Sequence, residues 1–292
     1  MIVPDAPVSA DDVRRHYDEL DLAYRRIWGE HVHHGYWATG RESPAEAAAA
    51  LTALVGERLA LAPGQRLVDI GCGYGATAAH FARTGGVSVT GLTLSPAQAA
   101  VARARPEAGL DFRVQDWLDN GLHAAAFDSA YAIESSEHMA DKPRFFDEAA
   151  RVLKPGGRLV VCAWLEGEGV SPWEVRHLLE PICREGRLPG MGSRRDYDGM
   201  AAAAGLRLLS YEDVSRNVRR TWTICARRLL GRLATDAEIR RLAFARTTGS
   251  RDFILSLPRL ILALRTGAMR YGVFVWEKPK GAAFPHRSDC DG

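Results

Sequence analysis

With 292 residues, 47% hydrophobic and 25% charged, the chain can bury a full core, which excludes disorder as its main state. A formal net charge of +2 argues against nucleic-acid binding, and no run approaches the roughly 20 apolar residues that span a bilayer. Residues 1–10 carry Asp5 and lack both an apolar core and an Arg-rich amphipathic stretch, so they read as neither signal nor transit peptide, and a cytoplasmic location is expected. Cys72, Cys162, Cys183, Cys225 and Cys290 are scattered without a CxxC pair, so no disulfide framework and no metal site is expected.

The first 60 residues read as helical. Ser9-x-x-Asp12 and Ser43-Pro44-Ala45-Glu46 each place a capping hydroxyl three positions before a carboxylate, the second with proline at the first helical position. Between them runs an aromatic and histidine-rich link, Trp28-Gly29-Glu30-His31-Val32-His33-His34-Gly35-Tyr36-Trp37. From Arg66 short apolar runs alternate with helical stretches: strand 66–70, helix 76–84, strand 87–92, helix 96–105 behind the cap Ser95, strand 111–115, strand 127–133 and helix 143–153. Strand 158–164 follows the turn Pro155-Gly156-Gly157. This alternation predicts an α/β fold, a doubly wound, Rossmann-like and mostly parallel sheet with helices on both faces.

After Trp164 the rhythm breaks. Residues 172–205 and 217–266 read as mostly helical, separated and followed by strand candidates 206–214 and 271–276. The expected organisation is an N-terminal helical lid (1–61), a ligand-binding core (62–165), a cap insertion (166–205), a core strand (206–216), a helical cap (217–269), a final core strand (270–279) and a tail (280–292). Between Ser171 and Arg270 lie 19 arginines against 10 acidic residues. An anionic acceptor would explain the excess, but 34 arginines against 4 lysines in the whole chain is a compositional habit that needs no ligand.

The sharpest local signal is Leu67-Val68-Asp69-Ile70-Gly71-Cys72-Gly73-Tyr74-Gly75, a strand entering a glycine turn that opens a helix. Gly71, Gly73 and Gly75 would let the backbone turn tightly and approach a ligand. The string also fits the dinucleotide fingerprint G-x-G-x-x-A. Two features separate the readings. A carboxylate at Asp69 would repel a pyrophosphate but favour the ammonium and sulfonium charges of S-adenosylmethionine. The acidic residue that a dinucleotide enzyme wants about 20 residues on is replaced by Gly91-Leu92-Thr93-Leu94-Ser95.

Asp69-Ile70-Gly71-Cys72-Gly73 resembles the first motif of class I S-adenosylmethionine-dependent methyltransferases. Gly91-Leu92-Thr93-Leu94-Ser95-Pro96-Ala97-Gln98 resembles the branch that holds γ-tocopherol methyltransferases and cyclopropane fatty acid synthases. Glu134-Ser135-Ser136-Glu137-His138-Met139-Ala140-Asp141-Lys142 and the stretch from Trp28 to Tyr36 are similar to its tocopherol-like, natural-product group. The resemblance spans nearly the whole chain. It implies S-adenosylmethionine as cofactor and S-adenosylhomocysteine as product, with Thr93, Leu94 and Gln98 at the ribose. Asp116 and Trp117 would hold adenine, the carboxylate accepting from the exocyclic amine and the indole packing on the ring, with burial in the core as the alternative for Trp117. Tyr17, in His16-Tyr17-Asp18, resembles the N-terminal tyrosine that closes over the donor; a helix-face aromatic is its packing alternative.

Methyl transfer from a sulfonium needs an aligned acceptor, exclusion of water and often removal of a proton. Ligands of doubly wound sheets bind beyond the carboxyl ends of the strands, which places Glu134, Glu137 and His138 at the reacting end. These are the first catalytic candidates, with His33 and His34 of the lid second. The expected partner is a small-molecule acceptor, with no nucleic acid and no stable membrane insertion, and a homodimer stays open. Trp28, Tyr36, Trp37, Trp164, Trp173 and Trp222 suit a flat aromatic or isoprenoid molecule. The resemblance points to secondary metabolism and, by way of its tocopherol-like part, to C-methylation of an aromatic or indole-type natural product. Transfer to phenol oxygen or alkaloid nitrogen, C-methylation of an isoprenoid, and a donor-binding regulatory subunit without transfer remain the alternatives. Cyclopropanation is disfavoured, because the lid lacks that family's cysteine-containing N-terminal segment.

Overall fold

The computed structural model describes residues 1–4, 7–28, 31–244 and 248–281. Gly29 and Glu30 of the aromatic link, and the expected tail beyond residue 281 with Cys290, lie outside them.

Helix α1 (Ala10–Ile27) starts at the expected capping box, where Ser9 Oγ accepts from Asp12 N and Asp12 Oδ2 accepts from Ser9 N. Helix α2 (Pro44–Leu59) starts at the second box, Ser43 with Glu46. The core then runs β1 (Arg66–Ile70), α3 (Ala76–Gly85), β2 (Ser88–Thr93), α4 (Pro96–Arg103), β3 (Leu110–Val114), β4 (Phe127–Ile133), α5 (Lys142–Val152) and β5 (Leu153–Glu166). Helices α6 (Pro172–Glu174), α7 (Glu180–Glu185) and α8 (Arg194–Ala203) precede β6 (Arg207–Asp213). Helices α9 (Ser215–Val218), α10 (Arg220–Thr235), α11 (Ala237–Phe244) and α12 (Thr248–Thr266) precede β7 (Met269–Glu277). A π-helical turn at Val175–Leu179 joins α6 to α7.

One seven-stranded sheet has the order β3-β2-β1-β4-β5-β7-β6. Strands β1 to β5 are parallel, and β7 is antiparallel to both β5 and β6. Strand β5 begins earlier than the sequence suggests. Its turn Pro155-Gly156-Gly157 is drawn into the sheet by backbone bonds from Gly156 N to Lys278 O and from Lys278 N to Gly157 O, and the β4 pairing jumps from Phe127↔Leu153 to Ser129↔Arg158. Period-2 alternation divides the strands between two cores. Ala130 and Ala132 of β4 join Phe146, Tyr197 and Trp276, whereas Tyr131 faces Phe81, Leu51 and Val55. A third cluster, with Ile27, Ile182, Trp222 and Leu260, packs the cap upon itself.

The strand order reverses between β1 and β4, which opens a crevice at their carboxyl ends. Helix α1 is fastened across it by two hydroxyls: Tyr74 donates to Asp21 Oδ1 at 2.6 Å, and Ser95 donates to Asp18 Oδ1. Among the described residues no helix is long and apolar enough to cross a membrane.

Candidate active site

The crevice holds two cavities on the donor side. One, of about 370 Å³, is lined by Asp69, Gly71, Cys72, Gly73, Tyr131, His31 and His33. The other, of about 640 Å³, is lined by Gly71, Gly73, Thr93, Leu94, Gln98, Tyr17, Glu134 and His138. Asp69, one residue before the end of β1, is buried, and the Tyr131 hydroxyl donates to its Oδ2 at 2.8 Å. Burial pushes its pKa up to about 7 against the opposing effect of that hydrogen bond. Thr93 donates to Gln98 Oε1 at 2.8 Å, which joins the end of β2 to α4 beside the cavity.

The three glycines differ in what holds them. All adopt positive φ, +80° at Gly71, +52° at Gly73 and +71° at Gly75. A Cβ at Gly71 would collide with Ser135, and one at Gly75 would lie 2.6 Å from the Phe112 ring. Gly73 alone faces open space, at the meeting of both donor cavities. Gly75 lines neither cavity, and its Cβ side is filled by Phe112 and Ala102.

Trp117 takes the packing alternative in this structure. Its indole sits in the core with Phe145 and Phe146, 2% exposed, and its Nε1 donates to Phe145 O. The turn Trp117–Asp119 directs it inward because an amphipathic α5 offers an apolar face there. Asp116 caps the same turn by accepting from Leu118 N at 2.9 Å and stands just past β3, outside the two cavities.

On the other side of Tyr17, Glu134 and His138 lies a cleft of about 700 Å³ walled by Trp28, Trp164, Trp222, Ile182, Leu188 and Leu260, with Glu137 also on its wall. Tyr17, Glu134 and His138 therefore line both the donor and the outer cleft. The Tyr17 hydroxyl lies 2.9 Å from His138 Nε2, and His138 Nδ1 lies 3.2 Å from Arg187 O. A carbonyl can only accept, so Nδ1 carries the hydrogen, and in the neutral ring Nε2 is the acceptor for the tyrosine hydroxyl. Burial lowers the His138 pKa to about 4, and burial also drives the Tyr17 pKa upward, so the pair is a neutral imidazole facing a phenol.

Glu134 and Glu137 are occupied differently. Glu134 has φ +55°, a strained conformation for a residue with a Cβ. Its Oε1 accepts from His34 N and from the Tyr271 hydroxyl, both at 2.7 Å, and its Oε2 meets His34 Nδ1 at 2.8 Å. Burial would raise its pKa, but the His34 contacts outweigh it and hold the carboxyl below its ordinary range. Glu137 Oε1 accepts from Trp164 N at 2.6 Å and its Oε2 from the Ser136 hydroxyl, and burial raises its pKa to about 7. Lys142 holds the same turn by donating to the carbonyls of Glu137 and Met139.

The two lid histidines have different surroundings. His33 points to the small donor cavity, bonding His34 O and His31, and is absent from the outer cleft, whereas His34 meets Glu134. Neighbouring residues of an extended link face opposite ways, so only one can reach β4. Sequence reasoning missed Tyr271, which β7 brings beside Glu134 from 137 positions away, and no local motif marks it.

A glycine position open on its Cβ side, a buried carboxyl group and a strand end bearing the Thr93 hydroxyl line these cavities and are residues of the kind that would hold S-adenosylmethionine. Residues 68–161 match the family described as a methyltransferase domain. The chain is 29% identical over 288 residues to the chloroplastic tocopherol O-methyltransferase of Arabidopsis thaliana, covering 90% of this chain and 80% of that one. It is 35% identical over 227 residues to the 27-O-demethylrifamycin SV methyltransferase of Amycolatopsis mediterranei, covering 76% and 83%. Its fold superposes on the crystal structure of the [4+2]-cyclase SpnF with a TM-score of 0.81 at 30% identity, covering 96% of this chain and 99% of that one.

Proposed function

The chain belongs to the class I S-adenosylmethionine-dependent methyltransferases, and on that premise we propose that it methylates a hydroxyl oxygen of an aromatic-type natural product. The observation that carries the choice of oxygen is the Tyr17–His138 pair on the partition between the donor cavities and the outer cleft. Bound S-adenosylmethionine supplies an electrophilic methyl group. The protein has then to hold the acceptor in line, exclude water and take one proton from it. His138 is fitted for the proton: the Arg187 carbonyl fixes the hydrogen on Nδ1, and Nε2 is left with a lone pair toward the partition. Tyr17 holds that nitrogen until the acceptor hydroxyl competes for it, and reaches from the lid helix, so closure and base positioning are coupled.

Glu134 does not serve as the base in this scheme, because three donors occupy its oxygens. It ties the histidine link and β7 to the end of β4. The apolar walls of Trp28, Trp164, Trp222 and Leu260 suit a flat or polycyclic acceptor. Two relatives support the same atom and substrate class by their names, the tocopherol O-methyltransferase and the rifamycin SV enzyme. The carbon-centred expectation drawn from the sequence is the rival reading that product analysis separates from oxygen transfer.

The test is incubation of the full chain with methyl-labelled S-adenosylmethionine and a panel of phenols, indoles and secondary amines, followed by product mass and fragmentation. Label recovered as a methyl ether supports the reading. Label on ring carbon or nitrogen, with the hydroxylated probes inert at oxygen, overturns it.

A further inference from the structure

Three polar atoms are buried together beside the outer cleft without a hydrogen-bond partner among the described residues: His34 Nε2, Trp164 Nε1 and Trp222 Nε1. Their rings touch one another edge-on. Centroids lie 5.7 Å apart for His34 and Trp164, 5.3 Å for His34 and Trp222, and 5.6 Å for Trp164 and Trp222. Trp164 and Trp222 line the cleft, and His34 is wholly buried against both. Buried polar atoms in native proteins nearly always have partners, so three orphans in one cluster on a ligand cleft need an explanation. The π faces that the edge-on packing offers are weak substitutes for a hydrogen-bond acceptor.

We propose that His34, Trp164 and Trp222 form a receptor for a hydroxyl group of the acceptor, so that the enzyme selects its substrate by an oxygen as well as by apolar shape. The two indole N–H groups can only donate. His34 Nδ1 lies 2.8 Å from Glu134 Oε2, where it donates to the carboxylate, and in the tautomer with its hydrogen on Nδ1 the ring presents Nε2 as an acceptor. A hydroxyl offers the complementary chemistry, an oxygen to receive indole N–H groups and a hydrogen for Nε2. A methyl group offers neither, and an ether oxygen leaves His34 Nε2 unpaired. A site built to hydrogen-bond a hydroxyl rejects the analogue that lacks it, because its own groups are then left buried and bare. The receptor rests on the reading of the outer cleft as the acceptor site. It also gives Glu134 a purpose compatible with its saturated carboxylate: it is a positioning residue that fixes the tautomer of His34.

The experiment compares 2-naphthol, 2-methoxynaphthalene and 2-methylnaphthalene as probes of the full chain with S-adenosylhomocysteine bound. Native protein should bind 2-naphthol at least about tenfold more tightly than 2-methylnaphthalene. Trp222→Phe, Trp164→Phe and His34→Phe keep an aromatic ring and remove one polar atom, and each should weaken 2-naphthol about fivefold to tenfold while leaving 2-methylnaphthalene unchanged. Retained S-adenosylhomocysteine affinity certifies that a variant is folded. For any variant that does not fold, the indole N–H resonances of Trp164 and Trp222 in the native chain decide, shifting with 2-naphthol and not with 2-methylnaphthalene. Equal binding of the naphthol and the methyl compound, binding of neither, or losses that affect both alike overturn the receptor. Failure of oxygen transfer is read separately, from the methylated product: a chain that methylates carbon yet selects 2-naphthol through these three residues refutes the transfer reading and keeps the receptor.

Discussion

The raised pKa of Asp69 turns donor binding into a pH-dependent event with a calculable slope. In the ligand-free protein burial holds the carboxyl at about 7, so near neutrality a large share of the molecules carry it protonated. A cationic ammonium is held by the carboxylate and not by the acid, so binding must release the proton. Apparent affinity is then reduced by the protonated fraction: almost nothing at pH 8, about tenfold at pH 6 and about a hundredfold at pH 5, the last equal to about 2.7 kcal/mol. The sign follows from the raised pKa, since affinity is full above about 7 and is lost as pH falls. Calorimetry of S-adenosylhomocysteine from pH 5 to 8 measures the slope, with circular dichroism to confirm the fold at each pH, and buffers of different ionisation enthalpy count the proton released. Asp69→Asn should bind weakly and without pH dependence. Tyr131→Phe removes the hydroxyl that opposes the upward shift, so its midpoint should move to higher pH. A flat native profile with no proton release would refute the placement of Asp69 against the ammonium.

Four further outcomes are expected. Gly73→Val should abolish donor binding at a modest stability cost from its φ of +52°, whereas Gly75→Val, equally strained and also driven into Phe112, should lower the melting temperature further; the reverse pattern would exchange their roles. Trp117→Ala should cost about 3–5 kcal/mol of stability by chemical denaturation while donor affinity at low temperature stays within about tenfold, and a selective loss of affinity would restore the adenine contact. His138→Ala should lower turnover about 10²–10⁴-fold and Tyr17→Phe about fivefold to tenfold, both keeping donor affinity. Because burial sets the His138 pKa near 4, native kcat/KM should fail only as acidity approaches that value, and a loss centred near 6.5 would assign the base elsewhere. Glu134→Gln should loosen the lid, seen as faster proteolysis within residues 31–37, and unchanged cleavage would show that its three hydrogen bonds do not hold the link.

The order of β and α elements, the helix caps at Ser9, Ser43 and Ser95, and the glycine turn after Asp69 were legible from the chain alone, because each depends on residues within a few positions of one another. Capping geometry and strand alternation are local physics, and Thr93, Leu94 and Gln98 follow from them as the end of β2 and the start of α4. The position of Glu134, Glu137 and His138 at the reacting end came from the rule for doubly wound sheets. Their roles did not, since Glu134 is filled by His34 and Tyr271, whereas His138 faces the Tyr17 hydroxyl at the partition. Whether His33 or His34 faces β4, and whether Trp117 faces ligand or core, turns on a rotation of half a period that sequence does not encode locally. The antiparallel insertion of β7 between β5 and β6, which delivers Tyr271, is decided by contacts more than a hundred residues apart, where the burial of one whole sheet face outweighs any preference of the strand itself.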